Sequence, residues 1–86
     1  MKIFVTGSAG FIGFSLSKKL LDNGAKVVGM DNHNDYYDPK IKEARLNILN
    51  EYPNYNHFRI DLTDSVEIEN IFKNFKPQKV VNLAAQ

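Results

Sequence analysis

Short apolar runs alternate with amphipathic stretches along the whole chain. Four of these runs are too brief for helices and are bounded by turn-favouring residues. They predict buried strands at residues 3–5, 26–30, 56–60 and 80–83. The three stretches between them have apolar residues at helical spacing. The predicted order of elements is therefore β-α-β-α-β-α-β.

The apolar spacing also predicts which face of each helix is buried. In the first helix, which ends near Gly24, the stripe is Ile12, Leu16 and Leu20. In the second helix, which starts at Asp38 and Pro39 and runs to about residue 51, it is Ile41, Ala44, Ile48 and Leu49. The opposite side of that helix is a solvated face of Lys42, Glu43 and Arg45. In the third helix the inward residues are Ile68, Ile71, Phe72 and Phe75.

Strands that alternate with helices predict an α/β fold with a doubly wound parallel sheet of the Rossmann-like type. The sheet is partial, with four strands in the order 3-2-1-4. The first two helices cover one face, and the third covers the other.

The length and composition of the chain exclude several classes of function. The 86 residues allow one small domain, and the net charge of +1 gives no attraction to nucleic acid or membrane surfaces. The chain has no cysteine, which suits a reducing cytoplasm and excludes thiolate metal sites. His33 and His57 lack metal-ligand spacing, and His57 is expected to face solvent, so we predict no metal.

Three glycines, Gly7, Gly10 and Gly13, follow the first strand at three-residue spacing and open the first helix. Gly7 permits a sharp turn, Gly10 lets the backbone approach a pyrophosphate, and Gly13 lets helix and strand pack closely. The helix N-terminus would then face the anion. The alternative is a tight corner between strand and helix with no ligand.

Asp31 follows the second strand directly. A carboxylate at that strand end can accept both hydroxyls of an adenosine ribose, and it would repel a 2′-phosphate. The next residues, Asn32 and His33, provide no arginine for such a phosphate. These features favour NAD over NADP as the cofactor. The alternative is an aspartate that caps a loop.

Residues 6–13, Thr-Gly-Ser-Ala-Gly-Phe-Ile-Gly, resemble the TGxxGxxG fingerprint of the extended short-chain dehydrogenase/reductase family. Residues 31–38 and 42–46 resemble the corresponding stretches of UDP-glucuronate 4-epimerases within that family. The resemblance spans all 86 residues but covers only the front part of such an enzyme. One departure is Asn82, where relatives often have histidine.

The resemblance implies a role for each matched residue. The pyrophosphate would bind Gly7, Gly10 and Gly13 with the backbone of Phe11 and Ile12. The adenosine ribose would bind Asp31 and Asn32, and the adenine would lie between Asp61 and Leu62. The path toward the nicotinamide would be lined by Leu83, Ala84 and Ala85.

By the same resemblance, the activity is 4-epimerisation of a UDP-sugar through a 4-keto intermediate, with a catalytic tyrosine and a lysine four residues after it. Tyr36 and Lys40 have that spacing, but Tyr36 precedes the helix, so the pair cannot share a helix face. We therefore expect no catalytic residue in this chain. Residues 1–86 are expected to be the N-terminal part of an NAD-binding Rossmann domain, truncated before its catalytic and substrate-binding portions. Such a fragment would be inactive alone and would self-associate through its open sheet edge.

Three alternatives stay open. The chain could be the front part of a UDP-galactose 4-epimerase or of a dTDP-glucose 4,6-dehydratase, both of which share this region. It could also be a non-catalytic dinucleotide-binding module that serves as a redox sensor or scaffold.

Overall fold

The computed structural model describes residues 1–31, 39–60 and 63–83. These residues form β1 (Lys2–Thr6), α1 (Phe11–Asp22), β2 (Lys26–Met30), α2 (Pro39–Asn50), β3 (Tyr55–Phe58), α3 (Ser65–Phe75) and β4 (Lys79–Asn82). The predicted alternation of strands and helices is confirmed, although β3 begins one residue earlier and ends two residues earlier than expected. Among the described helices, none has the length and apolar character needed to cross a membrane.

The four strands form one parallel sheet in the order β3-β2-β1-β4, as predicted. β1 lies inside the sheet, between β2 and β4, and its Val5 is fully buried. Because all strands run in the same direction, their carboxyl ends meet at one edge of the sheet. The glycine loop and Asp31 both follow strands at that edge.

Helices pack on both faces of the sheet. On one face α1 and α2 close over a core of Ile3, Val5, Leu21, Ala25, Val27, Leu46, Leu49 and Tyr55. On the other face α3 covers Phe4, Val28 and Met30 with Ile71. The Phe4 and Phe72 rings meet edge to face there, with centroids 5.5 Å apart. The predicted division of the helices between the two faces is confirmed.

The buried face of α1 differs from the predicted stripe. Gly13, Ser17 and Leu21 face the sheet, whereas Ile12 is 65% exposed. The two small residues let the helix backbone approach the sheet closely, so the contact depends on side chains that are absent or short. The prediction is therefore wrong for Ile12, whereas Leu20 is partly buried and packs against the core as expected.

The face of α2 was also predicted wrongly. Leu49 is buried as expected, but Ile41 and Ile48 are 47% and 40% exposed. The buried face contains Lys42, Leu46 and Leu49, which lie at positions i, i+4 and i+7. A charged residue therefore takes a place in the buried stripe, and its partner lies in the site described next.

Candidate dinucleotide-binding site

The loop between β1 and α1 begins with a sharp turn at Gly7, whose φ of +77° is in the left-handed region. The N–H groups of Gly7 and Ser8 both donate to the Met30 carbonyl, at 2.6 and 3.3 Å. The loop is thereby anchored to the end of the neighbouring strand β2. The sharp turn predicted at Gly7 is therefore confirmed.

Gly13 brings the first turn of α1 against this loop. A Cβ added to Gly13 would lie 2.0 Å from the carbonyl oxygen of Gly7 and 2.8 Å from its carbonyl carbon. Because those atoms belong to the backbone, no side-chain movement could make room. Gly10 contacts the same carbonyl more loosely: its N–H donates at 3.1 Å, and an added Cβ would lie at 3.3 Å.

The first backbone N–H groups of α1 are available to a ligand. Gly10 is the N-cap, and no side chain caps the helix. Phe14 is the first residue whose N–H bonds back along the helix, to the Gly10 carbonyl at 2.8 Å. The N–H groups of Phe11, Ile12 and Gly13 precede it and have no carbonyl within the helix. Together with the positive end of the helix dipole, they give the start of α1 the kind of donors to which anions bind in other proteins.

Asp31 lies beside this helix start although 22 residues separate it from the loop. It is 5% exposed, and its Oδ2 accepts a hydrogen bond of 3.2 Å from the N–H of Ala9. The carboxylate and the glycine loop therefore meet at the carboxyl ends of adjacent strands, as the sequence predicted.

Lys42 reaches the other oxygen of the same carboxylate. Its Nζ lies 2.9 Å from Asp31 Oδ1, and the two side chains are 7% and 5% exposed. The prediction that Lys42 belongs to a solvated face is therefore wrong. The long side chain brings the ammonium from α2 to the end of β2, where it compensates a carboxylate whose burial without a partner would be costly.

Arg45 lies one helical turn after Lys42 and contacts the loop from the same helix. Its Nη1 donates to the Ala9 carbonyl at 3.2 Å, and its guanidinium carbon lies 5.7 Å from the centre of the Phe11 ring. This residue was also predicted to be solvated, but it is half-buried. Two cationic side chains of α2 thus fix both Asp31 and the glycine loop.

A second polar cluster supports the loop from β3. The Tyr55 hydroxyl donates to Ser8 Oγ at 3.0 Å and lies 2.7 Å from His57 Nδ1. It sits over Gly29, where an added Cβ would lie 2.1 Å from the hydroxyl oxygen. His57 is half-buried, so the expectation that it faces solvent is wrong: it shares the sheet face of Tyr55.

Burial raises the pKa of Tyr55 to about 12. The hydrogen bond with Ser8 lowers that pKa, and the negative charge of Asp31 raises it further. Tyr55 is therefore a neutral hydrogen-bonding group at physiological pH.

Leu83 is held at the same edge of the sheet, beside the start of the loop. Its N–H donates to the Thr6 carbonyl at 3.0 Å and to Thr6 Oγ1 at 3.2 Å. The Thr6 hydroxyl in turn donates to Asn82 Oδ1 at 2.5 Å. Asn82 therefore uses its side-chain oxygen to join the ends of β1 and β4.

Most of the predicted site residues lie close together in the part of the chain that the structure describes. Those that meet at the carboxyl edge of the sheet are Gly7, Gly10, Phe11, Ile12, Gly13, Asp31 and Leu83. Five other predicted site residues lie outside the described residues: Asn32, Asp61, Leu62, Ala84 and Ala85. Sequence reasoning missed the contribution of Lys42, whose one signal was its spacing with Leu46 and Leu49.

The sequence of this chain matches a protein-family model and several known proteins. A family model described as GDP-mannose 4,6 dehydratase matches residues 4–86. An uncharacterized protein of Methanocaldococcus jannaschii is 48% identical over an alignment of 86 positions that covers 98% of this chain and 26% of that protein. A UDP-glucuronate 4-epimerase of Thermodesulfobacterium geofontis is 42% identical over 82 residues, covering 95% of this chain and 25% of the epimerase.

A solved structure agrees with the sequence relatives. The UDP-glucuronic acid 4-epimerase of Bacillus cereus, crystallised with UDP-glucuronic acid and NAD, superimposes with a TM-score of 0.89 at 31% identity. The match covers 99% of this chain and 26% of that one. The chain thus spans about a quarter of the length of the relatives it matches. Since the family model matches nearly every residue, the chain belongs to the GDP-mannose 4,6 dehydratase family.

Proposed function

We propose that residues 1–86 form the NAD-binding front part of an NAD-dependent nucleotide-sugar epimerase. The observation that carries the proposal is the uncapped start of α1 beside the buried carboxylate of Asp31, which Ala9 holds against the loop. A dinucleotide has an anionic bridge and a ribose with two hydroxyls. The site offers N–H donors for the bridge and carboxylate oxygens for the ribose at adjacent strand ends.

The loop residues fit such a cofactor. Gly10 has no side chain over the helix start, and the Phe11 and Ile12 side chains are 72% and 65% exposed. The pyrophosphate would accept from the N–H groups of those two residues and Gly13. Asp31 would accept from the ribose hydroxyls, because an ionised carboxylate is an acceptor with two oxygens and about four lone-pair positions.

The remaining assignments follow the family resemblance. Asn32 would assist Asp31 at the ribose, and the adenine would lie by Asp61 and Leu62. The nicotinamide would lie along Leu83, Ala84 and Ala85. Bound NAD would supply the acceptor for the hydride that leaves the sugar.

We propose UDP-sugars, and UDP-glucuronate in particular, as the substrate class of the full-length protein. The similarity to the epimerases of Thermodesulfobacterium geofontis and Bacillus cereus supports this choice. The second candidate is a nucleotide-sugar 4,6-dehydratase, which the description of the family model favours. A cytoplasmic location agrees with the absence of cysteine.

Calorimetric titration of the full-length protein with NAD and NADP tests the cofactor assignment. We expect NAD to bind and NADP to bind more weakly. Absence of NAD binding, or tighter binding of NADP, would contradict the proposal. A Gly13→Ala variant should lose NAD binding, whereas Gly24→Ala, the same change far from the site, should keep it.

Product analysis then separates the two enzyme classes. With UDP-glucuronate we expect the full-length protein to form the 4-epimer, whereas a 4,6-dehydratase would instead convert a 6-hydroxylated nucleotide sugar such as dTDP-glucose. Residues 1–86 alone should give no turnover with either substrate. Turnover by these 86 residues would contradict the assignment of catalysis to a later part of the protein.

A further inference from the structure

A groove lies on the face of the sheet that α3 covers, between this helix and β3. Its volume is about 390 Å³, which is within the range of small-molecule sites in proteins. Four apolar residues line it: Val28, Phe58, Ile71 and Phe75. Val28 and Ile71 are buried, whereas Phe58 is 38% exposed. We call this cavity the α3 groove.

The groove forms because α3 is placed over β1 and β2. Its Ile71 belongs to one buried cluster with Phe4 of β1 and Val28 of β2. Among the described helices, α1 and α2 pack on the opposite face of the sheet. The β3 residues on the α3 side, Asn56 and Phe58, are therefore left exposed. A concave apolar surface bordered by a few polar side chains is typical of a ligand site.

Two lysines begin the strands beside one end of the α3 groove. Lys2 and Lys26 are the first residues of β1 and β2, and they are partners in the register of the sheet. Lys26 precedes Val28 of the groove by two positions, so the two side chains share a face. The Lys2 Nζ lies 5.9 Å from the centre of the Phe75 ring. Both lysines therefore lie on the side of the sheet that contains the groove.

The charges of these two lysines are not compensated within the described part of the chain. The ion pairs there involve Lys18, Lys42 and Arg59, and no described carboxylate pairs with Lys2 or Lys26. Like charges at partner positions of neighbouring strands destabilise a sheet. An anion bound between the two ammonium groups would remove this repulsion.

The polar side chains of the groove differ between its two ends. Asn70 and Asn74 line it one helical turn apart on α3, and their amides can donate to a ligand or accept from it. Glu67 lines the groove near the start of α3, about 12 Å along the helix axis from Phe75 at its end. The groove is therefore positive at the amino ends of the strands and negative at the other end.

We propose that the α3 groove binds a small carboxylic acid with an apolar body. The carboxylate lies between Lys2 and Lys26, and the apolar body lies on Val28 and Phe75. The charge of Glu67 repels the reverse orientation. Because the two lysines begin their strands, whereas the proposed dinucleotide site follows the same strands, the two sites are separate and this inference does not depend on the proposed function.

Calorimetric titration of the full-length protein with octanoate, octanol and octylamine tests the proposal, since these probes differ in the charge of the head group. One octanoate should bind per chain, about 3- to 10-fold more tightly than octanol, the range for two exposed ion pairs. Octylamine should bind more weakly than octanol. In Lys2→Gln/Lys26→Gln the advantage of octanoate over octanol should disappear. Lys79→Gln, the same change at the start of β4, should keep it, because Lys79 is on the face of Val81, which packs against the core under α1 and α2.

A second pair of variants tests the location. Asn70→Trp places a large side chain in the groove and should abolish octanoate binding. Glu69→Trp introduces the same side chain at an exposed neighbour outside the groove lining and should leave binding unchanged. Both positions are exposed on α3, so both variants should keep the melting temperature of the wild type.

Several results would overturn the proposal. They are the absence of saturable octanoate binding by the wild type, equal affinities for octanoate and octanol, and an equal loss in Lys79→Gln. Octanoate binding that persists in Asn70→Trp would also overturn it.

Discussion

Tyr55 donates a hydrogen bond of 3.0 Å to Ser8, which lies in the glycine loop after β1. The bond crosses β2 above Gly29, where the missing side chain leaves room for both hydroxyls. The loop that follows β1 is thus hydrogen-bonded to β3, a strand that is not adjacent to β1 in the sheet. Its conformation depends on β3 as well as on β1 and β2.

Replacing Tyr55 with phenylalanine should destabilise the fold. The change removes the hydrogen bond that Tyr55 donates to the fully buried Ser8, and the loss of such a bond costs about 0.5–1.5 kcal/mol. Urea unfolding should report this loss. Tyr52→Phe is the matched control: it removes a hydroxyl that bonds to the exposed carboxylate of Asp22, and its effect should be smaller. Equal losses in the two variants would argue against a supporting role for the buried bond.

Stability should fall in strongly alkaline solution because of the same hydroxyl. The pKa of Tyr55 is raised from 10.0 to about 12 in the folded protein. Between those two pH values the unfolded chain releases a proton that the folded protein retains. The free energy of unfolding should therefore drop by about 1.4 kcal/mol per pH unit in this range. In the Tyr55→Phe variant, the free energy of unfolding measured from pH 9 to pH 12 should lack this decrease. A decrease as steep as that of the wild type would contradict the assignment to Tyr55.

Gly29→Ala should destabilise the fold, and a second substitution should partly repair it. The new methyl would lie 2.1 Å from the Tyr55 hydroxyl and 2.5 Å from Ser8 Oγ. Because both atoms end side chains, removing one of them relieves part of the conflict. In a double-mutant cycle by urea unfolding, Gly29→Ala should cost less in the Tyr55→Phe background than in wild type. Additive effects would show that the two groups do not compete for the same space.

Gly13→Ala should cost both stability and cofactor affinity. The methyl would meet the Gly7 backbone at 2.0 Å, so α1 must move away from the loop, and overpacking of this kind costs about 1–3 kcal/mol. Gly24→Ala is the control: φ there is +89° but no atom lies within 4 Å of the added Cβ. It should lose about 1–2 kcal/mol through backbone strain without weakening NAD binding. Thermal unfolding and calorimetry should separate the two effects, and equal NAD affinities would contradict the assignment of Gly13.

The 86-residue chain should self-associate in solution. In the part of the chain that the structure describes, β4 has one hydrogen-bonded strand neighbour, and its Val80 is 50% exposed. An exposed strand edge with an apolar side chain favours pairing with another chain. Sedimentation velocity over a range of concentrations should detect association, and Val80→Lys should weaken it. A compact monomer at all concentrations would contradict this prediction.

Much of the fold could be predicted because its signals are local. Apolar runs give the strands, and glycine and proline mark several helix ends. The Asp64 side chain caps α3 by accepting from the Glu67 N–H at 3.2 Å, at the spacing seen in the sequence. The strand order is the one expected for a doubly wound sheet, in which the connection through α3 takes the chain from β3 to the far side of β1.

The rotation of each helix about its own axis is harder to predict from the sequence, because it depends on tertiary contacts. Two sets of positions in α2 have helical spacing, and the predicted set contains more apolar residues than the set that is buried. The buried set contains Lys42, which forms an ion pair with Asp31 at the end of β2, a residue eleven positions earlier in the sequence. Likewise, the contact between His57 and Ser8 forms only when β3 lies beside β2, so the sequence around His57 does not reveal it.

Val5 pairs with Gly29 of β2 on one side and with Val81 of β4 on the other. β1 therefore gains its second hydrogen-bonded neighbour only after the residues of β4 have been synthesised. During translation, about 50 residues must be added between the synthesis of these two partners, which takes roughly 3–10 s at typical elongation rates. For that interval the nascent polypeptide carries a half-finished sheet with a row of unpaired backbone groups. Aggregation through these groups competes with the arrival of β4.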